Sequence, residues 1–125
     1  MTTAARRRAL ARGRRGERLA AWWLRLQGYR IVARGFRVPV GEIDLVARRG
    51  AILAIVEVKR RASLTAAGEA ISPRQQRRLR HAAEAFVQRH PEVAGLQPRF
   101  DAVLLTPWRL PCHIKDAWNI DPRLP

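Results

Sequence analysis

Apolar residues recur along this chain with two periods, and the switches between them lay out its elements. From Arg14 to Gln27 the spacing is helical: Leu19, Ala20, Trp23 and Leu26 face one way and Arg14, Arg18 and Arg25 the other. Gly28 supplies the C-terminal cap. Tyr29 to Val38 reads as a strand that Pro39 ends. Glu42 to Arg48 and Ala51 to Lys59 are apolar, partly β-branched runs, and the Arg49-Gly50 pair between them suits a two-residue hairpin loop. From Arg60 to Ala70 small and polar residues take over, the pattern of a mobile loop near the active face. Ser72 with Pro73 opens a second helix to about Arg89, its apolar stripe being Ile71, Leu79, Ala82, Ala83, Phe86 and Val87. Phe100 to Leu105 is a further short strand, and a last strand and turn surround His113 to Trp118. Residues 1–13, rich in arginine and free of acids, read as a flexible basic arm, and 14–125 as one α/β domain.

The hairpin decides which side chains meet. If Arg48 pairs with Ala51, Glu57 faces Glu42 and Ile55 faces Asp44. Opposed residues share a face, as do residues two apart on one strand. Glu42, Asp44, Glu57 and Lys59 are then expected on one side, with Val46, Leu53 and Ile55 keeping its inner part apolar. Ile43, Leu45, Ala47, Ala54, Val56 and Val58 form the other side. Both faces are buried, with a polar cluster at one end only.

That cluster carries the chemistry. Glu57 follows Asp44 with twelve residues between, and Lys59 follows Glu57 with one between, the D-x12-E-x-K spacing of a metal-dependent nuclease. Lys59 is one of only two lysines among 25 basic residues. Its ammonium is a compact charge that can change its pKa where a guanidinium cannot. Carboxylates and an ammonium at a sheet edge need a reason, because buried unpaired charges are costly. Mg²⁺ supplies one, since it takes one or two carboxylates plus waters and substrate phosphate, and Asp44 with Glu57 fits that demand. Mn²⁺ would serve similarly. The competing explanation is an ion-pair network of Glu42 or Glu57 with Lys59, Arg60 and Arg61.

Composition changes the picture at one point. The chain has 125 residues, enough for one domain, and a formal net charge of +15. Such an excess argues for a polyanionic partner, and nucleic acid fits better than membrane because no stretch is long enough to span. Arg14, Arg18, Arg60, Arg61, Arg74, Arg77 and Arg78 are the candidate phosphate contacts. Cys112 is the single cysteine, so no internal disulfide forms, and His81, His90 and His113 are too scattered to suggest zinc. No signal-peptide core follows the N-terminal charges, and a reducing, cytoplasmic setting is expected. Glu17, the only acid in the first forty residues, falls at the border of the first helix; there it either reaches toward the metal or interacts with the helix dipole and nearby arginines. Trp22 lies near the arginine face, partly exposed or in contact with a second subunit.

Gly16-Glu17 with Ala20-Ala21, Gly41-Glu42-Ile43-Asp44-Leu45-Val46-Ala47, Val56-Glu57-Val58-Lys59-Arg60-Arg61, Arg99-Phe100-Asp101 and His113-Ile114-Lys115-Asp116-Ala117-Trp118 together resemble the YraN-like family of small bacterial proteins. That family is similar to the restriction-endonuclease-like nucleases, whose αβββαβ core, a mixed central sheet flanked by helices, suits the element order above. The resemblance implies a metal-binding aspartate at Asp44, a glutamate at Glu57 and a lysine at Lys59. It also matches Glu17 to the helix-one glutamate of the archaeal junction-resolvase branch. Gln75 stands where the family usually has a lysine, and Trp118 replaces a usual phenylalanine. Asp101 has no assigned role; an ion pair with Arg99 or a neighbouring arginine is expected.

The expected function is a Mg²⁺-dependent endonuclease acting on DNA rather than RNA, with branched DNA such as a four-way junction in view. A homodimer anchored by Trp22 would match the two-fold symmetry of such a junction; the alternative is a monomer with Trp22 under the arm or alone on the surface. The competing class is a catalytically silent nucleic-acid-binding module on a nuclease scaffold.

Overall fold

The N-terminal segment is made of residues that favour helix, and it starts where a side chain can cap it. Helix α1 spans Thr3–Leu26, and the Thr2 hydroxyl accepts the Ala5 amide at 3.1 Å. The computed structural model describes residues 2–60 and 72–117, with backbone only for 8–13. The helix thus begins at Thr3, not near Arg14, and the segment expected as a separate arm continues it. Alanine and arginine are strong helix formers, and the one glycine there, Gly13, costs only about 1 kcal/mol. At the other end Gly28, with φ +90°, donates its amide to the Arg25 carbonyl and closes the helix as expected.

Three antiparallel strands follow, β1 (Arg30–Val38), β2 (Gly41–Arg49) and β3 (Ile52–Arg60). Helix α2 (Pro73–Arg89) then crosses over to β4 (Gln97–Leu105), which runs parallel to β3. The short β5 (Cys112–Ile114) pairs antiparallel with β4, giving a five-stranded mixed sheet in sequence order. This is the anticipated αβββαβ core with one added strand. Helix α2 has the expected bounds because Ser72 accepts the Gln75 amide at 3.2 Å and Pro73 takes the first helical position.

The two helices cover opposite faces. Ala20, Ala21 and Leu24 of α1 pack with Leu45, Ala47, Ala54, Val56 and Val103. Ala82, Ala83 and Phe86 of α2 pack with Ile43, Val46, Leu53 and Ile55. The inward face of α1 is rotated from the expected one: Leu19 and Leu26 are 42% and 62% exposed. Small residues decide this. A Cβ on Gly16 would sit 3.1 Å from Arg60 Nε and 3.3 Å from Leu105 Cδ1, so α1 lies against the sheet on Gly16, Ala20, Ala21 and Leu24 rather than on Leu19 and Leu26.

The β2–β3 register also differs from the one drawn from sequence. Arg49 pairs with Ile52 and Leu45 with Val56, so the loop is Gly50-Ala51, one position later than expected. Gly50 has φ +58°, and of the primed two-residue turns the type II′ takes glycine in its first loop position. That requirement keeps Arg49 in the strand. Residues 61–71, which include Arg61 and most of the expected loop, lie outside the described residues, as does Trp118.

Candidate active site

Strands β2 and β3 stay paired only as far as Leu45 and Val56. Beyond that point β2 remains with β1 as far as Val38↔Gly41, while β3 remains with β4 as far as Arg60↔Leu105. The sheet therefore opens between its second and third strands, and the next positions on either lip are Asp44 and Glu57. Asp44 Oδ2 accepts the Val58 amide at 2.8 Å. The carboxylate satisfies a donor that the ladder no longer serves and is fixed in place by doing so.

Strict alternation fails at Asp44. Ile43 packs on the α2 side and Leu45 on the α1 side, although only one residue separates them. Gly35, which lies opposite this point between the pairs Arg34↔Leu45 and Phe36↔Ile43, has φ +64°. The paired irregularities turn both strands over together. The expected single polar face is thereby corrected. Glu42 falls between Gly41 and Ile43 and so belongs to the α1 side; Glu57 and Lys59 belong to the α2 side, because Val58 packs with the α1-side cluster. Asp44 sits in the seam between them.

A cleft of about 170 Å³ occupies the opening, lined by Gly41, Glu42, Asp44 and Glu57 of the sheet and by Gln75, Arg78 and Leu79 of α2. Its width depends on a missing side chain: a Cβ on Gly41 would lie 2.5 Å from the Arg78 carbonyl oxygen. Arg78 is tied across the gap, donating from Nε to the Val40 carbonyl at 3.3 Å. The first turn of α2 thus presents Gln75 and the positive end of a helix dipole to the cleft. Lys59, only 8% exposed, lies two residues past Glu57, and both engage other groups.

The electrostatics are those of a site crowded with negative charge. Burial raises the Asp44 carboxyl to about 6; the Val58 amide works against this, while Glu17 and then Glu42 push it further up. Glu17 is raised as well, first by its own burial and then by Glu42, with Arg34 offsetting part. Glu17 on α1 thus feels both the carboxylate of Glu42 and the guanidinium of Arg34. Among the described residues no three His, Cys, Asp or Glu side chains converge closely enough to hold a metal alone. A cation here would rely on one or two carboxylates completed by water and phosphate, as Mg²⁺ prefers. The donor set fits such an ion, because Asp44 offers half-buried hard oxygens whose charge the neighbouring acids destabilise.

The remaining candidates divide. Glu42 pairs with Arg37 at 3.3 Å, a surface ion pair of little energetic weight. Arg14 and Arg18 on α1 and Arg74 and Arg77 on α2 are exposed. Arg60 passes over Gly16. Asp101 lies away from the cleft and is fully buried, receiving both Arg99 Nε and Nη2 at 2.8 Å, His113 Nε2 at 2.8 Å and the Asp116 amide at 3.0 Å. Arg99 also donates to the Tyr29 hydroxyl, and His113 Nδ1 meets Gln27 Oε1 at 3.2 Å, so the cluster fastens β4 and β5 to the end of α1. The ion pair with Arg99 is as expected. Sequence reasoning missed the His113 partner and the roles of Gly35 and Gly41; a glycine inside a strand pattern was the available signal.

Residues 16–105 match the model of the uncharacterised protein family UPF0102. The chain is 54% identical over 117 residues to a UPF0102 protein of Paramagnetospirillum magneticum, covering 90% of this chain and 91% of the relative. It is 57% identical over 107 residues to one of Parvibaculum lavamentivorans, covering 86% and 80%. A third, from Rhodopseudomonas palustris, is 53% identical over 114 residues, covering 91% and 84%. The chain belongs to the UPF0102, or YraN-like, family. Among the described residues no helix is long and apolar enough to cross a membrane.

Proposed function

We propose that this UPF0102 member is a divalent-metal-dependent endonuclease that hydrolyses a phosphodiester in DNA. The observation that carries the reading is the meeting of Asp44 and Glu57 across the opening of β2 and β3, with buried Lys59 two residues further on. Asp44 and Glu57 would hold Mg²⁺ or Mn²⁺, which when bound acidifies a water and offsets charge on the phosphate. Asp44 is held ready for this by the Val58 amide. Lys59 contributes a point donor that orients the attacking water and stabilises the developing negative charge. Gln75, at the start of α2, gives the non-bridging phosphate oxygen a neutral amide donor where a lysine would give a charge. Arg74 and Arg77 lie on the same helix turn and extend the phosphate track beyond the cleft.

The second reading is a nucleic-acid-binding module without turnover, and the exposed arginines on both helices, which binding needs and hydrolysis does not, are the observation in its favour. One experiment separates the two. Linear, nicked, flapped and four-way-junction DNA, with RNA as a control, are incubated with the wild type and with Asp44→Ala, in Mg²⁺, Mn²⁺ or EDTA. Metal-dependent cleavage that Asp44→Ala loses supports the enzyme. Binding without cleavage in every arm overturns it.

A further inference from the structure

The apolar flank of α1 calls for a partner. Trp22 is 49% exposed, with its ring 6.3 Å from that of Trp23, and Leu19 and Leu26 continue the band one turn to either side. Arg18 lies one turn before Trp22 and Arg25 one turn after; Arg15 is also exposed. At about 100° per residue, Arg14, Arg18 and Arg25 fall within roughly 40° of one another around the helix. Their stripe runs between Glu17, on the flank that faces the cleft, and Trp22, on the flank that faces away. A strand whose phosphates follow the arginines would carry its bases to the tryptophan.

We infer that Trp22, with Arg18 and Arg25, is a stacking platform for unpaired nucleobases. The substrate class is then nucleic acid that exposes single-stranded nucleotides rather than uninterrupted duplex, an inference that rests on the nucleic-acid reading above. The physical reason is that every base has a π face, so an exposed indole among cations binds single strands with little sequence preference. A duplex keeps its bases stacked inside and offers the indole nothing but its backbone. The rival occupant is a second copy of the chain. A two-fold interface over this face would bring Arg15, Arg18 and Arg25 of each copy toward the same residues of the other, and like charges so juxtaposed oppose association. A polyanion meets no such opposition.

The test measures binding of an oligothymidylate and of a blunt duplex with the same number of phosphates, both in EDTA so that cleavage plays no part. Trp22→Ala should weaken oligothymidylate binding about tenfold, the scale of one lost stack, and leave duplex binding within about twofold, since the phosphate contacts remain. Trp22→Phe should restore most of the loss, which separates stacking from damage to the helix. Equal weakening on both ligands, or no change on either, would overturn the platform. Sedimentation showing a wild-type dimer that Trp22→Ala dissociates would assign the face to a second copy instead. If the wild type binds neither ligand, the nucleic-acid reading fails and this inference with it. If Asp44→Ala stops cleavage while the binding pattern holds, the platform stands independently of the active site.

Discussion

The Val58 amide donates to Asp44 Oδ2 at 2.8 Å where the β2–β3 ladder ends, so one hydrogen bond both terminates the pairing and aims the carboxylate into the cleft. A carboxylate serving as a strand terminator is costly when burial and two further acids disfavour its charge. The raised Asp44 carboxyl records that cost.

A stability prediction follows for the metal-free protein. The Asp44 pKa is raised from 3.8 to about 6, so its contribution to stability is full below 3.8 and is lost as pH rises through about 6. At neutral pH the ionised group should cost up to about 3 kcal/mol. Asp44→Asn should therefore raise the metal-free melting temperature at pH 7, and its advantage should shrink on acidification toward pH 4. Added Mg²⁺ should stabilise the wild type and leave the variant unmoved. Thermal melts across pH, with and without Mg²⁺, test both; a variant less stable than wild type at pH 7 contradicts the account.

The division of labour in the cleft gives a kinetic prediction. Lys59→Ala should abolish cleavage while metal affinity stays nearly intact, whereas Asp44→Ala should abolish both. Lys59→Arg should also fail, because a planar fork does not replace a compact ammonium in a buried position. Calorimetry beside a cleavage assay decides the matter, and equal loss of metal binding in the alanine variants would remove the assigned roles.

The elements and the pair Asp44 and Glu57 were legible in the sequence because periodicity and spacing are local. Ser72, Pro73 and Gly28 announced helix ends through their own backbone chemistry. The face assignment was not legible, since alternation presumes regular strands and the turn-over at Gly35 and Asp44 breaks it. Nor was the inward face of α1, where hydrophobicity favoured Leu19 and Leu26. Close approach of the helix to the sheet favoured Gly16, Ala20 and Ala21, and that approach is tertiary.

Gly41 offers a test of the cleft that touches none of its charged groups. The Cβ of Gly41→Ala would stand 2.5 Å from the Arg78 carbonyl oxygen, and backbone cannot step aside as a side chain can. Overpacking of this kind costs about 1–3 kcal/mol. The displaced helix should carry Gln75 and Arg78 away from Asp44 and Glu57. Cleavage should fall by more than the stability loss explains, with metal affinity nearly unchanged. Full activity in a folded Gly41→Ala protein would mean that α2 takes no part in the chemistry.

Salt dependence tests the arginine surface as a whole. With a formal charge of +15 and exposed arginines on both helices, binding should release several counterions and be largely independent of sequence. Raising salt from about 50 to 200 mM should weaken DNA binding by on the order of 10³-fold if roughly six phosphates are contacted. Replacing Arg74 and Arg77 together by alanine should lower the slope of log affinity against log salt by about 2. An unchanged slope would take α2 out of the phosphate track.

The buried cluster around Asp101 makes the last prediction and concerns the fold alone. Burial works to raise the Asp101 carboxyl, but the hydrogen bonds from His113, Arg99 and the Asp116 amide together outweigh it and hold it below its usual value of 3.8. A depressed carboxyl stabilises fully above its unfolded value, and that stability is lost as pH falls through the folded value. Asp101→Asn keeps the shape but leaves the Arg99 guanidinium without its counter-charge, and breaking such a buried pair costs about 3–5 kcal/mol. The wild type should therefore melt well above Asp101→Asn at pH 7, and the gap should close only below about pH 4, on the acid side of the ordinary carboxylate range. Differential melts of the two proteins from pH 7 to 3 measure that gap directly. A gap that closes already between pH 7 and 5 would mean that a group other than Asp101 governs the attachment of β4 and β5 to α1.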